Sequence, residues 1–352
     1  MDRPSPQVVG IGALGLAGLV LGAALGVTAE RVAVRRTFRT DPDRFEPYGQ
    51  LRGASHRLVL PDGTGLYVEV EDPDDFRPGV DPTIIFAHGF ALSSDAWHYQ
   101  RRDLSGLGRL VFYDQRSHGR SDRAPNGSHT IDQLGRDLAA VIEDTAPTGP
   151  VILVGHSMGG MTVMSLVEHH PDWIGTRIRG VALIATSPGR MNTVSLGLPK
   201  PAAALMHRYA EDLAAVMGAK QPVIDPVRGQ VNDLGYILTK VYSFGGASSP
   251  SMTRFVHDLN AATPADVIAE FIPSLVKHDK MHSLEVLNTI PVLVLVGDRD
   301  LLTPSEHSQE ILHKIPSAEY VLLPDSGHMV LLERHGDVNH RLRELIRRTT
   351  AR

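Results

Sequence analysis

The most informative segment of this chain reads Val151-Ile152-Leu153-Val154-Gly155-His156-Ser157-Met158-Gly159-Gly160. Its first four residues are all apolar, which predicts a strand buried on both faces. The apolar stretch that follows, residues 161–167, predicts a helix. Only a very tight turn fits between the two, and Ser157 would lie at its tip. Gly155 and Gly159 leave space where a side chain would collide with the neighbouring strand or helix.

A serine at the tip of such a turn follows the pattern G-x-S-x-G, in which the hydroxyl is lifted clear of the sheet. The serine then lies at a helix N-terminus, where the backbone N–H of Met158 would point at negative charge developing on a bound molecule. The alternative is an ordinary glycine-rich turn, because the pentapeptide arises by chance in about one in ten chains of this length. Its position between a predicted strand and a predicted helix favours the first interpretation.

The composition fits one large α/β domain with an insertion, or two small domains. The chain has 352 residues, of which 42% are hydrophobic and 21% are charged. The net charge of −5 provides no basic footprint, so we expect no nucleic-acid partner. The absence of cysteine excludes disulfides, thiolate metal sites and a cysteine nucleophile.

An uncharged apolar stretch near the N-terminus, residues 8–29, is long enough to cross a bilayer as a helix, for which about 20 residues suffice. Gly18, Gly22 and Gly26 recur at the four-residue spacing on which membrane helices pack. We therefore expect residues 1–39 to form a membrane anchor with a basic flank. A cleaved signal peptide and a buried soluble helix are the alternatives.

The charges around this stretch predict its orientation. Only Arg3 precedes it, whereas the residues that closely follow it include Arg31, Arg35, Arg36 and Arg39. A basic flank on the C-terminal side favours a cytoplasmic location for the rest of the chain, and export is the alternative. Residues 40–55, which contain Pro42 and Pro47, are interpreted as a linker.

Strands alternate with helices along the rest of the chain, which predicts a mostly parallel, doubly wound α/β sheet. A hairpin is expected at residues 56–60 and 64–70, around Pro61-Asp62-Gly63. The spacing of apolar residues predicts helices at 130–144 and 336–348. Further strands are expected at residues 83–87, 110–113, 151–154, 181–185, 292–296 and 319–323.

About a hundred residues between two of these strands show helical patches and no clear strand. We expect residues 189–288 to form a helical cap, and residues 56–188 and 289–352 to form the α/β core. About a third of the cap's large apolar residues would line a pocket, since such pockets are predominantly apolar. These residues are Met191, Met206, Tyr209, Met217, Tyr236, Tyr242, Phe244, Phe255 and Phe271.

A serine hydroxyl needs a base to become a nucleophile, and the base needs an orienting acid. Asp300 is preferred over Asp298 as the acid. The alternative is that Asp300 only caps its loop. His328 is preferred as the base among 17 histidines, because the order Ser, Asp, His and the preceding Gly327 fit this chemistry. Each candidate follows a predicted strand, at the edge where sheets of this kind hold their sites.

The loop after residue 87 would contribute to an oxyanion hole. Its two donors are expected to be the backbone N–H groups of Phe90 and Met158. His88 and Gly89 would let this loop turn back over Ser157. We expect His88 to hold the loop by a hydrogen bond rather than to transfer a proton.

Other histidines near these motifs are assigned structural roles. His156 is a supporting residue whose side chain would point into the turn, and His118 would brace its own loop. His278 and His282 have the spacing of a helical metal pair. No carboxylate stands at a known spacing from them, so they are interpreted as solvated cap residues. We expect no metal ion and no cofactor.

Together these motifs resemble the α/β-hydrolase superfamily, in the branch with a helical cap inserted after the sixth strand. The resemblance covers residues 56–348. One departure is Ser117, which stands where the family loop D-x-R-G-x-G-x-S has its first glycine. The apolar N-terminal stretch adds a similarity to membrane-anchored actinobacterial hydrolases. The resemblance rests on His88-Gly89-Phe90, residues 114–121, residues 155–159, residues 297–300 with Pro304, and Gly327-His328.

The resemblance implies a serine hydrolase in which Ser157 is the nucleophile, His328 the base and Asp300 the orienting acid. The apolar residues of the predicted cap favour a carboxylic ester with an apolar or lipid-like acyl group, cleaved through an acyl-enzyme. Hydrolysis of carbon–carbon bonds, lactonase activity and perhydrolysis use the same triad and are alternatives. A non-catalytic ligand-binding protein on the same scaffold is a further one. No oligomeric state is predicted.

Overall fold

The computed structural model describes residues 41–191 and 232–350. Within these residues the chain forms an eight-stranded sheet in the order β1-β2-β4-β3-β5-β6-β7-β8. Neighbouring strands from β4 across to β8 are parallel, whereas β2 is antiparallel to both β1 and β4. The predicted mostly parallel sheet is therefore confirmed. The strands are β1 (Ala54–Val59), β2 (Gly65–Glu71), β3 (Thr83–Ala87), β4 (Arg109–Tyr113), β5 (Val151–His156), β6 (Ile178–Ile184), β7 (Val292–Gly297) and β8 (Glu319–Leu323).

Helices cover both faces of the sheet, because the central strands are apolar on both sides. Successive residues of β3 point to opposite faces of the sheet, so that Ile84 and Ile85 belong to two different buried clusters. One cluster includes side chains of the helices at residues 131–145, 158–169 and 305–314, and the other includes side chains of the helices at residues 98–104, 330–333 and 335–350. The described helices are α1 (His98–Leu104), α2 (Ile131–Thr145), α3 (Met158–His169), α4 (Asn232–Ser243), α5 (Pro250–Ala262), α6 (Ala265–Lys277), α7 (Ser305–Lys314), α8 (Val330–Glu333) and α9 (His335–Thr350).

Helix α2 begins and ends close to the predicted bounds of 130–144. The hydroxyl of Thr130 accepts a hydrogen bond from Gln133 N at 3.1 Å, which caps the first turn. Leu134 and Leu138 follow at the spacing of one helix face and are buried, and the helix packs against α3. The helix therefore forms where its capping residue and its apolar face agree.

The strand order reverses between β3 and β5. The chain passes from β3 to its neighbour β4 on one side, and then crosses to β5 on the other side of β3. The loops that leave the carboxyl ends of β3 and β5 consequently diverge, and such a point opens a crevice. The segments that begin with His88 and Ser157 lie at the two sides of this crevice.

Strand β6 is longer than the sequence predicts. We expected it to start at residue 181, because Arg179 and Gly180 interrupt the apolar run. The structure starts it at Ile178, which pairs with Val151 before a register irregularity. The pairing partner therefore extends this strand beyond the limits of its own apolar residues.

Three described helices, α4, α5 and α6, lie between β6 and β7, in the segment predicted as a helical cap. A 3-10 helix, Met281–Thr289, then leads back to β7. An isolated bridge between Gly189 and Asp279 joins the two ends of the segment where they leave the core. Residues 192–231 of this segment lie outside the described residues.

The described part of the predicted linker, from residue 41 onwards, packs against two helices. The ring of Tyr48 stacks on Phe255 of α5, with the ring centroids 4.8 Å apart. The hydroxyl of Tyr48 lies 2.8 Å from that of Tyr99 on α1. The carboxylate of Asp41 accepts hydrogen bonds from the backbone and hydroxyl of Ser251. This stretch is therefore anchored to the folded domain by specific contacts.

Among residues 41–191 and 232–350, no helix has the length and apolar character that crossing a bilayer requires. The predicted membrane segment, residues 8–29, lies outside the described residues. The same holds for three of the apolar residues assigned to the cap, which are Met206, Tyr209 and Met217.

Candidate active site

Ser157 lies in the predicted tight turn between β5 and α3. Its backbone has φ +54° and ψ −120°, a conformation that costs a non-glycine residue about 1–3 kcal/mol. The turn is held on both sides: Ser157 N donates to Ile184 O at 3.0 Å, and its carbonyl accepts a bond from the Thr186 hydroxyl at 2.7 Å. The hydroxyl-bearing residue is thereby fixed at the N-terminus of α3.

The glycines around Ser157 allow this turn to pass between close neighbours. A Cβ atom on Gly159 would lie 1.9 Å from the carbonyl oxygen of Ala87, and one on Gly155 would lie 2.5 Å from Gly159 O. A Cβ atom on Gly160 would lie 2.5 Å from the hydroxyl of Thr186. All three contacts are too short for any side chain, so the backbone itself requires glycine here.

The structure brings the three predicted partners together, although they are far apart in the sequence. Nε2 of His328 lies 2.9 Å from the hydroxyl oxygen of Ser157. Nδ1 of the same ring lies 2.9 Å and 3.1 Å from the two carboxylate oxygens of Asp300. These distances form an unbroken chain of hydrogen bonds from hydroxyl to imidazole to carboxylate.

The carboxylate of Asp300 is fully buried and fully hydrogen-bonded. It accepts bonds from Leu302 N at 2.8 Å, Thr303 N at 2.9 Å and the Thr303 hydroxyl at 2.8 Å. Burial alone would raise the pKa of Asp300, but the charge of His328 and these hydrogen bonds outweigh it and hold the pKa below the ordinary 3.8. The acid is therefore ionised at neutral pH and oriented towards the imidazole. Asp298, the alternative acid, instead accepts a bond from Ser326 N.

The two predicted oxyanion donors belong to the two segments that meet at Ser157. Met158 is the first residue of α3, where backbone N–H groups have no partner within the helix. The loop after β3 lies directly against Ser157, since a Cβ atom on Gly89 would be 3.1 Å from Cβ of Ser157. Within the described residues, neither Phe90 N nor Met158 N donates a hydrogen bond. Both groups can therefore donate to a bound molecule.

His88 holds the loop that carries Phe90. Its Nε2 accepts a bond from Gln115 N at 2.9 Å, so the proton resides on Nδ1, which donates to Gly89 O at 2.8 Å. Burial lowers the pKa of His88 to about 4. The Gln115 amide is in turn fixed by the hydroxyl of Thr162, at 2.8 Å, and donates to His88 O. In this arrangement His88 is a neutral brace.

His156 differs from its predicted orientation. We expected its side chain to point into the turn, but its Nε2 donates to the carbonyl oxygen of His328 at 2.9 Å. Burial, reinforced by the neighbouring charge of His328, lowers the pKa of His156 to about 3. This neutral ring therefore supports the loop of His328. The ring lies between Gly89, where a Cβ atom would come within 2.9 Å of its Nδ1, and the loop of His328, and that loop is distant in sequence.

His118 contacts more than its own loop. Its Nδ1 donates to Arg116 O at 2.9 Å, as a brace of its own loop would, and its Nε2 also accepts a bond from Ala91 N at 3.2 Å. The loop keeps a left-handed backbone at Ser117, with φ +62°. The hydroxyl of Ser117 lies 2.8 Å from His129 Nε2 and accepts from Ala124 N, which offsets the strain that a glycine would avoid.

The prediction for His278 is wrong. We interpreted it as solvated, but it is buried, and its Nε2 donates to Ser187 O at 3.2 Å. Burial lowers the pKa of His278 to about 4. The loop that follows α6 turns inward at this point because it pairs with the segment at Gly189. His282 is exposed and lies 2.7 Å from Glu168, so the two histidines do not converge on one site.

A second group of possible metal ligands lies away from Ser157. Donor atoms of Asp132, Glu168 and His169 come within 4.8 Å of one another. The ammonium of Lys280 lies 2.6 Å from the carboxylate of Asp132 and also bonds to Glu168. A protein cation therefore already neutralises these carboxylates, and we assign them no metal.

Three residues that support this arrangement were not predicted. Thr303 bonds to Asp300, Gln115 bonds to His88, and Glu333 accepts a bond from Gly327 N at 2.6 Å next to the base. A local signal exists only for Thr303, because a hydroxyl residue three positions after an aspartate is typical of a capped turn. Gln115 bonds across 27 positions, and Glu333 also binds Gly245 and Gly246, which are 88 and 87 positions away, so no short motif encodes these roles.

Comparisons with known proteins agree with this geometry. A family model described as the alpha/beta hydrolase fold matches residues 82–335. The chain is 26% identical over 314 residues to an sn-1-specific diacylglycerol lipase of Mus musculus, covering 88% of this chain and 90% of that protein. It is 39% identical to a bifunctional esterase/perhydrolase of Acinetobacter calcoaceticus over 146 residues, which cover 41% of this chain and 50% of that protein.

Solved structures show the same fold. An esterase from Thermogutta terrifontis superposes with a TM-score of 0.63 at 22% identity, covering 85% of this chain and all of that one. An enol-lactonase from Burkholderia xenovorans superposes with a TM-score of 0.64 at 23% identity, covering 83% of this chain and 99% of that one. The matched family region spans strands β3 to β8 and every residue of the hydrogen-bonded chain at Ser157. This chain belongs to the α/β-hydrolase family.

Proposed function

We propose that this protein is a serine hydrolase that cleaves carboxylic esters with an apolar acyl group through an acyl-enzyme. One observation carries the proposal, which is the continuous chain of hydrogen bonds from Ser157 through His328 to Asp300. Such a chain activates a hydroxyl that is otherwise a poor nucleophile at neutral pH.

In the first half of the proposed cycle, the hydroxyl oxygen of Ser157 attacks the acyl carbon while its proton passes to Nε2 of His328. The negative charge on the former carbonyl oxygen is stabilised by the N–H groups of Phe90 and Met158, and this role is supported by the fact that neither donates to any of the described residues. The ionised Asp300 stabilises the imidazolium that forms. His328 then protonates the leaving alcohol, and the acyl group remains on Ser157.

In the second half, a water molecule takes the place of the alcohol. His328 accepts one of its protons while the water oxygen attacks the acyl carbon of the ester on Ser157. Collapse of the second tetrahedral intermediate returns the proton to the serine oxygen and releases the carboxylic acid. The two half-reactions consume one ester and one water and produce one acid and one alcohol.

The preference for an apolar acyl group rests on the apolar cluster around the two proposed donors. Phe90 and Met158, which contribute the two N–H donors, belong to an apolar cluster with Phe271 and Val267 of α6. The rings of Phe90 and Phe271 meet edge to face with centroids 6.0 Å apart. We propose that residues 189–288 act as a cap and that this junction of cap and core forms the apolar wall of the pocket.

Lactonase, carbon–carbon hydrolase and perhydrolase activities remain the alternative chemistries for the same residues. The perhydrolase alternative has one specific observation in its favour, since a relative with 39% identity over 146 residues is an esterase/perhydrolase. A panel of p-nitrophenyl esters of increasing acyl length, lactones and diketones, together with peracid formation from hydrogen peroxide, separates these reactions by their kcat/KM values.

We propose further that residues 8–29 anchor the chain in a membrane, with the hydrolase on the cytoplasmic side. The support is the uncharged length of this stretch and the four arginines that follow it closely. Membrane fractionation with a reporter fused to the C-terminus tests both parts. A membrane-bound reporter that is active only on the cytoplasmic side is expected, and an exported or freely released reporter would contradict this.

The direct kinetic test of the proposed reaction compares two serine variants of the full chain. Ser157→Ala should lower kcat for p-nitrophenyl esters by about 10⁴-fold or more, because the parts of a triad act as a unit. Ser165→Ala, a change of the same size in the same helix, should retain wild-type kcat. Ester hydrolysis that survives in Ser157→Ala would refute the proposed nucleophile. If none of the compounds is turned over and Ser157 does not react with a serine-directed probe, the chain is a non-catalytic binding protein.

A further inference from the structure

The carboxylate of Glu333, in the short helix α8, binds backbone groups of two different loops. It accepts hydrogen bonds from Gly245 N at 3.1 Å and Gly246 N at 2.8 Å, which belong to the connection between α4 and α5. It also accepts one from Gly327 N at 2.6 Å, which directly precedes His328. One side chain thus joins the inserted helical segment to the loop of the proposed base.

The backbones of these two loops are in direct contact. Met329 N donates to Ser243 O at 2.7 Å. A Cβ atom on Gly327 would lie 2.5 Å from Gly245 N, and one on Gly245 would lie 2.5 Å from the carbonyl carbon of Ser326. Glycine is therefore required on both sides of the contact. Residues 243–246 and 326–329 are therefore in direct backbone contact.

Arg299 extends the same contact to the loop of the orienting acid. Its guanidinium donates to Gly245 O at 2.9 Å and also pairs with the carboxylate of Asp325. Arg299 directly precedes Asp300 in the sequence. The connection between α4 and α5 therefore touches the loops that carry both His328 and Asp300.

The electrostatics of Glu333 fit a carboxylate that binds amides. Burial raises the pKa of Glu333 above its ordinary value, and the nearby charge of Asp300 adds to that shift. The hydrogen bonds from Gly327, Gly246 and Gly245 oppose the shift because they stabilise the ionised form. Hydrogen bonds from backbone amides to an ionised carboxylate are stronger than those to a neutral acceptor. Because the one carboxylate of Glu333 accepts bonds from both loops, its loss affects both loops at once.

We propose that Glu333 is a positioning residue that locks residues 243–246 of the cap to the loop of His328, so that the imidazole reaches Ser157 only while the cap connection is docked. The kinetic part of this inference rests on the proposed function. The structural part, that the two loops are held together by Glu333, does not depend on it.

The test uses Glu333→Gln in the full chain. The amide keeps the shape of the carboxylate but replaces one acceptor oxygen with an NH₂ group, which cannot accept a bond from a backbone N–H. We expect kcat for a p-nitrophenyl ester to fall about 10–100-fold, since bonds of this strength are lost. KM should change less than about twofold, because no pocket residue changes. Amide hydrogen exchange should rise at least about tenfold in residues 243–246 and 326–329 together.

Asp337→Asn is the matched control, because it neutralises an exposed carboxylate four residues further on that pairs with Arg334. It should leave kcat and both exchange rates at wild-type values. Arg299→Ala is the second variant, and its exposed side chain makes loss of folding a minor concern. It should raise exchange in the same two segments and lower kcat, by a smaller factor than Glu333→Gln. If Glu333→Gln does not fold, the same measurements on Arg299→Ala test the inference.

Two results would overturn the inference. The first is faster exchange in only one of the two segments, which would show that Glu333 does not couple them. The second is coupled exchange with an unchanged kcat, or a loss of kcat matched by a rise in KM. Failure of the proposed function is seen separately, because the wild-type chain would then turn over no ester. The exchange measurement would still decide whether Glu333 holds the two loops together.

Discussion

At the scale of single residues, the chemistry depends on contacts between distant parts of the chain. Ser157 and His328 are 171 positions apart in the sequence, yet their reactive atoms lie 2.9 Å from each other. The acid that orients His328 is held by nearby residues of its own loop, through Leu302 N–H and Thr303. Changes to these side chains should therefore alter turnover with little effect on the fold.

The choice of Asp300 over Asp298 as the acid makes a first prediction. Asp300→Asn should lower kcat/KM for esters about 10⁴-fold, because an amide favours the wrong imidazole tautomer. Asp298→Asn, a change of the same chemistry two residues earlier, should stay within about threefold of wild type, which corresponds to less than about 1 kcal/mol. Steady-state kinetics on both variants checks this. Equal losses in the two variants would contradict the assignment.

Thr303, which the sequence did not single out, makes a second prediction. Thr303→Val removes one of the bonds to the Asp300 carboxylate while keeping the side-chain shape. We expect kcat to fall about tenfold, since one hydrogen bond to a charged group is lost. Thr176→Val, which removes an exposed hydroxyl bonded to Asp172 O, should have no effect on kcat. Wild-type kcat in Thr303→Val would show that the backbone N–H groups of Leu302 and Thr303 are enough to hold the Asp300 carboxylate.

The three residues proposed from the sequence have local signatures, and of the supporting residues that were missed only Thr303 has one. Ser157 stands in a fixed glycine pattern, and Asp300 and His328 each follow a strand, so the sequence alone was enough to propose all three. Glu333 and the orientation of His156 depend on which loop lies opposite, and that is decided by the packing of the whole sheet. The burial of His278 was missed for the same reason.

At the scale of secondary structure elements, the turn between β5 and α3 is the tightest point of the fold. It makes a third prediction. Gly159→Ala should lower the free energy of unfolding by more than about 3 kcal/mol, or prevent folding, because the added Cβ atom would lie 1.9 Å from Ala87 O. Gly336→Ala meets nothing within 4 Å in α9 and should be neutral or stabilising by up to about 1 kcal/mol. Urea denaturation of both variants measures the difference, and a stable Gly159→Ala would refute the close packing.

The bounds of elements with a strong apolar periodicity were predicted within a few residues. The bounds of elements that depend on pairing with a neighbouring strand were not. The apolar runs at β3 and β5 and the capped helix α2 contain their own signals, and the structure confirms all three. Strand β6 starts earlier than predicted because Val151 pairs with Ile178. Pairing across a sheet joins residues that are distant in sequence, so the apolar pattern of one strand does not fix where it begins.

At the scale of the whole molecule, neutral buried histidines make stability depend on pH. Burial lowers the pKa of His88 to about 4, and that of His118 and His156 to about 3. In the unfolded chain these groups titrate near about 6.5, so below that pH the unfolded state binds more protons than the folded state. The free energy of unfolding should therefore fall as the pH drops from about 6.5 towards about 4.

This dependence gives a fourth prediction. Each of the three histidines should contribute a loss of about 2 kcal/mol in the free energy of unfolding between about pH 7 and pH 5. His118→Gln should reduce the total loss by that amount, whereas His340→Gln, at an exposed position, serves as the control. Chemical denaturation at several pH values checks the slopes. Equal slopes for the wild type and His118→Gln would show that His118 is not held neutral by the fold.

The central claim is that Ser157 is a nucleophile activated by His328 and Asp300. Incubation of the full chain with a fluorophosphonate, followed by proteolysis and mass spectrometry, tests it without knowledge of the natural substrate. The account predicts one phosphonyl adduct, on Ser157, that forms at the wild-type rate in Ser165→Ala and at least about 10³-fold more slowly in His328→Ala. An adduct on another residue, or equal labelling of Ser157 with and without the imidazole, would contradict it.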